Sequence, residues 1–130
     1  MKYRKVQSYQ LVQDWQYITD IATDRIIRTY YIDLVKGLLI MRKGFCFEPS
    51  GPTFTTKTFM RAACAHDAGV WLIRNGHLEP TWKEPIDDLL LEICLLDGMW
   101  PVRAKWIHRT LLATDFYIDP ENRVEIQTAP

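Results

Sequence analysis

The sequence predicts an α+β domain: an N-terminal antiparallel β-hairpin or small sheet, then a pair of antiparallel helices and a third packing helix. Three observations predict it. Aromatic and β-branched residues crowd the run from Ile26 to Val35, where they favour strand. The later part of the chain carries apolar residues at helical spacing in segments punctuated by Gly and Pro. Strands gathered before helices is the α+β order. At 130 residues, 48% hydrophobic and 25% charged, the chain has the size and balance of one globular domain with its own core. Residues 1–118 form that domain, and residues 119–130 a polar C-terminal tail.

The elements follow in chain order. "YQLVQDWQYI" has Leu11, Trp15 and Tyr17 at inward positions. Residues from about Arg28 to Phe47 read as a hairpin, with Lys36-Gly37 as its tight turn because Gly accepts positive φ. "EPSGPTFTTK" is rich in turn residues and breaks the strand. Thr55 or Thr56 can cap the helix that follows, roughly Lys57 to Asn75, and Gly76 stops it. "HLEPTWKEP" is a connecting loop. Pro85 opens a second helix, with Glu84 and Asp87 near its positive end, and Gly98 closes it. A third helix starts near Pro101.

Charge and composition exclude several classes. Lys+Arg and Asp+Glu are both 16, so there is no basic surplus for general phosphate binding, and a nucleic-acid partner is not expected. No apolar run approaches the ~18 residues of a membrane span. The N-terminal "MKYRKVQSYQ" lacks the apolar core of a secretory signal. Cys46, Cys64 and Cys94 have neither C-x-x-C spacing nor an even count, so reduced cysteines are expected rather than a disulfide or a zinc site. His77 and His108 lack metal-ligand spacing and read as surface residues.

His66 carries the strongest chemical signal. Phe59, Ala62, Ala63, His66, Val70 and Ile73 follow one helical stripe, which places an imidazole on the core-facing side. A buried imidazole needs hydrogen-bond partners. On the antiparallel second helix, Asp87 shares a face with Leu90, Leu91 and Cys94 and can point back at it; Asp88 falls on another face. A carboxylate beside a buried His fixes its tautomer. That arrangement suits a general base and equally a structural polar tie, and spacing alone leaves both open.

The stretches "GFCFEPSGPTFTTKTFMRAACAHDAGVWLI" and "IDDLLLEICLLDGM" resemble a phage and prophage family designated domain of unknown function 1353. The matching features are Gly44-Phe45, Glu48, Ser50-Gly51-Pro52, His66-Asp67 and Ile86-Asp87-Asp88-Leu89-Leu90, over roughly residues 28 to 112. Relatives carry Asp where this chain has Glu48, and an aromatic near the His-Asp pair where it has Gly69 and Val70. The resemblance implies a phage-encoded protein of the host cytoplasm or the virion. A more distant similarity is to secreted phospholipases A2. It implies His66 as base, Asp87 as orienting carboxylate and Asp67 as a calcium ligand, although the Gly-rich calcium loop and the disulfides are missing.

Two functions are therefore expected in order. The first is a non-enzymatic structural or interaction protein, a virion component or host-directed accessory factor. In it Glu48, Ser50, His66, Asp67 and Asp87 form a polar network, no cofactor is needed, and Trp100 and Trp106 serve a protein partner. The second is a hydrolase using His66 and Asp87, with Asp67 and Glu48 on a divalent cation, calcium or zinc. The first is preferred because no nucleophile, oxyanion hole or full metal shell is legible.

Overall fold

A computed structural model describes residues 9–47 and 57–113. Two antiparallel sheets precede three helices, which is the expected α+β architecture. β1 (Tyr9–Gln10) pairs with β6 (Cys46–Phe47). The larger sheet runs β2 (Trp15–Ile18), β5 (Leu38–Met41), β4 (Ile32–Val35), β3 (Ile27–Arg28). Between β4 and β5 the chain turns on Lys36 at φ 50° and Gly37 at φ 85°. Two successive positive φ values give a two-residue hairpin whose twist matches its strands. A Cβ on Gly37 would sit 2.8 Å from the Thr19 carbonyl oxygen, so the turn needs glycine on two counts.

The run from Ile26 to Val35 is two strands, not one. Thr29 to Tyr31 form a turn between β3 and β4. The Thr29 hydroxyl donates to the Ile32 carbonyl at 2.5 Å and accepts from the Ile32 N–H at 3.0 Å. No Gly or Pro marks it, because side-chain hydrogen bonds do the turning. Register places Ile32 opposite Met41 and Leu34 opposite Leu39, all buried. Trp15 and Tyr17 of β2 lie opposite Met41 and Leu39 and share this core face.

α1 (Lys57–Arg74) packs on the sheet, α2 (Lys83–Leu96) packs on α1, and α3 (Pro101–Leu112) packs on α2. Thr55 and Thr56, the expected caps of α1, lie outside the described residues. α1 ends on Gly76 at φ 78°, with the Gly76 N–H donating to the Ile73 carbonyl and the His77 N–H to the Leu72 carbonyl. Gly98 ends α2 with the same pair of bonds, to Leu95 and, from Met99, to Cys94. Both are Schellman stops, which satisfy the last carbonyls of a helix. α2 begins two residues before Pro85, because a single 3-10 turn at Pro80–Trp82 feeds into it. That shift brings Lys83 into the helix. No helix is long and apolar enough to cross a membrane among the described residues.

Sheet and helices are clasped by polar groups. The Arg61 guanidinium on α1 donates twice to the Asp97 carboxylate, at 2.9 and 2.7 Å, and lies over the rings of Trp15 and Tyr17. The Tyr17 hydroxyl donates to Glu92 of α2 at 2.7 Å. Partial burial, then that bond to a carboxylate, push the phenol up to about 12.

α1 and α2 approach closely at Gly69. A Cβ there would meet three side-chain atoms of Ile86 at 2.9 to 3.0 Å, and Ile86 is fully buried. Gly69→Ala gains helix propensity of about 1 kcal/mol but overpacks the contact at about 1–3 kcal/mol. The expected outcome is a net loss of stability in urea unfolding, partly recovered by adding Ile86→Val. A Gly69→Ala chain more stable than wild type contradicts the close contact.

Candidate functional site

The site is built where α1 and α2 face each other. The stripe of α1 that carries His66 is buried throughout: Phe59, Ala62, Ala63, His66, Val70 and Ile73. α2 returns antiparallel and presents Ile86, Asp87, Leu90 and Cys94, all buried. His66 Nε2 lies 2.8 Å from Asp87 Oδ1. An ionised carboxylate only accepts hydrogen bonds, so against ionised Asp87 the Nε2 nitrogen would be the protonated, donating one. Any base chemistry would then run through Nδ1.

Asp87 has no exposed surface. Its second oxygen, Oδ2, accepts from the Lys83 ammonium at 2.8 Å. The same ammonium donates to the Leu111 carbonyl at 2.7 Å, in the last turn of α3, where helix carbonyls lack intrahelical partners. His66, Asp87, Lys83 and the end of α3 therefore form one chain of hydrogen bonds across three helices. Lys83 escapes a reading that starts the helix at Pro85. The signal that points to it is its i,i+4 spacing from Asp87.

Asp67 is half-buried beside His66 and has interactions of its own. Glu48 and Ser50 lie outside the described residues. Asp88 is exposed and pairs with His108, 2.7 Å from its Nε2. His77 is half-buried and stacks on Trp71, ring centroids 5.6 Å apart. Both histidines, expected at the surface, are half-buried, and each has a tertiary partner. Among the described residues no three His, Cys, Asp or Glu side chains converge as a metal shell does.

A groove of about 430 Å³ opens elsewhere, between the Tyr9–Gln13 segment and α1, with Trp15, Phe47, Met60, Arg61 and Cys64 on its walls. His66 does not line it. Cys64 on its wall accepts from the Trp15 indole N–H at 3.4 Å, and its thiol donates to the Met41 sulfur at 3.8 Å. Burial pushes the thiols of Cys64 and Cys94 up to about 12, so neither is a thiolate nucleophile at neutral pH. All three cysteines are free.

A second buried ionic cluster went unread in the sequence. Asp33 of β4 is 1% exposed. Arg42 embraces it with both terminal nitrogens, Thr29 N–H donates to it at 3.1 Å, and Arg28 lies at 3.5 Å. The Arg42 hydrogen bonds hold its carboxyl below the usual carboxylate range.

Trp106 on α3 is 49% exposed, and Trp100, which immediately precedes the helix, is 80% exposed. Comparison with family models, with curated proteins and with solved structures returns no match.

Proposed function

We propose that this chain is a small phage-encoded protein of non-enzymatic kind, a virion component or host-directed accessory factor that works through a protein partner. His66, Asp87 and Lys83 are then the polar tie that sets the packing of its three helices. The observation that supports this most is Asp87. It has no exposed surface, and His66 and Lys83 hold its two oxygens. A carboxylate spent on two buried partners is suited to fixing geometry. The groove on the other side of α1 does not include the His66 ring.

The test is a set of thermal melts of wild type and His66→Ala, each with EDTA, calcium and zinc. A structural tie predicts a lower melting temperature for His66→Ala in every condition and no metal shift. A metal that raises the melt of wild type alone would overturn it, because binding to the native state stabilises it by mass action. Quantitative mass spectrometry of purified particles then separates the virion component, present at fixed copy number, from the accessory factor.

One observation favours a second reading, a hydrolase. The 2.8 Å contact between His66 Nε2 and Asp87 is how a general base is oriented. That reading requires His66→Gln to abolish an ester- or lipid-hydrolysing activity while the fold is retained.

A further inference from the structure

The outer face of α3 combines exposed apolar groups with unbalanced positive charge. Val102 and Trp106, one turn apart, are 80% and 49% exposed, and Trp100 at the helix start is 80% exposed. The last turn of α2, just before this elbow, adds exposed Leu95 and Leu96. Beside Val102 and Trp106 on the wheel stand Lys105 and Arg109, both exposed. Neither makes an ion pair with the described residues, whereas Arg61, Arg42, Arg25 and Lys83 all do. α3 contains no Asp or Glu. Its opposite side, Ala104 and Ile107, is buried against the domain.

Single exposed apolar residues need no explanation, but a contiguous set rimmed by charge marks an interaction surface. Trp and Arg are the residue types that anchor interfaces. Charge complementarity then specifies the occupant. Building on the interaction-protein reading, we infer that the Trp100–Val102–Trp106 face of α3 docks an acidic amphipathic segment of a partner protein. Its apolar side chains would cover the two indoles and its carboxylates would meet Lys105 and Arg109. A protein segment fits better than an anionic bilayer. Two bases on a chain of zero formal net charge supply little attraction to a charged surface, and directed pairing needs only those two.

The experiment uses the full chain, isotope-labelled, titrated with four probes. These are a short amphipathic peptide with Glu on its polar face and Leu and Phe on the other, its Lys-for-Glu counterpart, phosphatidylglycerol–phosphatidylcholine vesicles, and a single-stranded oligonucleotide. The Glu peptide should shift the Val102, Lys105, Arg109 and Trp106 indole resonances. Lys105→Glu with Arg109→Glu should weaken that binding about tenfold or more, since like charges then face each other, with melting temperature unchanged. Equal binding of the Lys peptide, preferential binding of vesicles or oligonucleotide, or shifts away from α3 would each overturn the inference. So would particles that still incorporate the Lys105→Glu/Arg109→Glu chain at the wild-type level but lose the Trp100→Ala/Trp106→Ala chain. In that case a protein partner remains and its acidic character does not.

Discussion

Asp87→Ala is expected to lower the unfolding free energy by about 3–5 kcal/mol, the range for removing one partner of a buried ion pair. The size follows from what stays behind. Lys83 keeps only 12% of its side chain in solvent, so its ammonium cannot recover full hydration. The Leu111 carbonyl remains as an acceptor but offers no countercharge. His66 loses the acceptor of its Nε2–H, and an unmet buried donor carries its own penalty of about 1–3 kcal/mol. Asp87→Asn should lose less, because an amide oxygen can still accept from one neighbour. Lys83→Met keeps the stem packing but takes the ammonium from a carboxylate with no exposed surface, so its loss should be comparable to that of Asp87→Ala. Urea unfolding of the three single variants and of Asp87→Ala/Lys83→Met checks this. The double variant should be less damaged than the sum of its parts, because both charges of the pair are removed together. A loss of under about 1 kcal/mol for Asp87→Ala would mean that water reaches the carboxylate site, and the tie would not be holding the helices together.

The same tie shows what can be read from one chain of residues. The α1–α2 pairing was legible, because helix periodicity placed His66 and Asp87 on facing stripes and Gly76 and Gly98 marked both helix ends. The third member was not. Lys83 sits before Pro85, and proline is such a strong start signal that it masks a helix entered through a preceding 3-10 turn. The sheet was less legible than the helices for a different reason. Its strands span two to four residues, too short for alternation to identify. The turn that splits Ile26–Val35 depends on Thr29, Asp33 and Arg42, which meet only once the sheet has formed. The clasp of Arg61 to Asp97 and of Tyr17 to Glu92 joins residues 36 and 75 positions apart. No local spacing encodes such pairs. What remained readable was chemistry on a periodic element, and what escaped was chemistry created by tertiary contact.

That unread cluster gives the second large effect. Asp33→Ala is expected to cost about 3 kcal/mol at neutral pH, the low end for a broken buried pair, because Arg42 keeps 35% of its side chain exposed and can turn to solvent. The loss also has a pH signature. Arg42 hydrogen bonds, then the Thr29 N–H, lower the Asp33 carboxyl below its unfolded value of 3.8 against the opposing effect of burial. The native state therefore binds the Asp33 proton less readily than the unfolded chain does. Stability from this carboxylate is fully present above about pH 4–5, and it falls as the pH drops through 3.8 towards the lower folded value. The gap between wild type and Asp33→Ala should accordingly be widest at pH 7 and shrink at pH 3. Unfolding of both chains at the two pH values measures it. A gap that stays constant would show that folding leaves the proton affinity of Asp33 unchanged, and that shape rather than charge holds the Thr29–Tyr31 turn. Arg42 also donates to the Thr29 carbonyl at 3.1 Å, so protonating Asp33 should loosen this turn before the helices respond. The Tyr30 and Tyr31 rings, stacked edge to face at 4.6 Å, provide the local reporter. Their resonances should shift in acid at a higher pH than global unfolding.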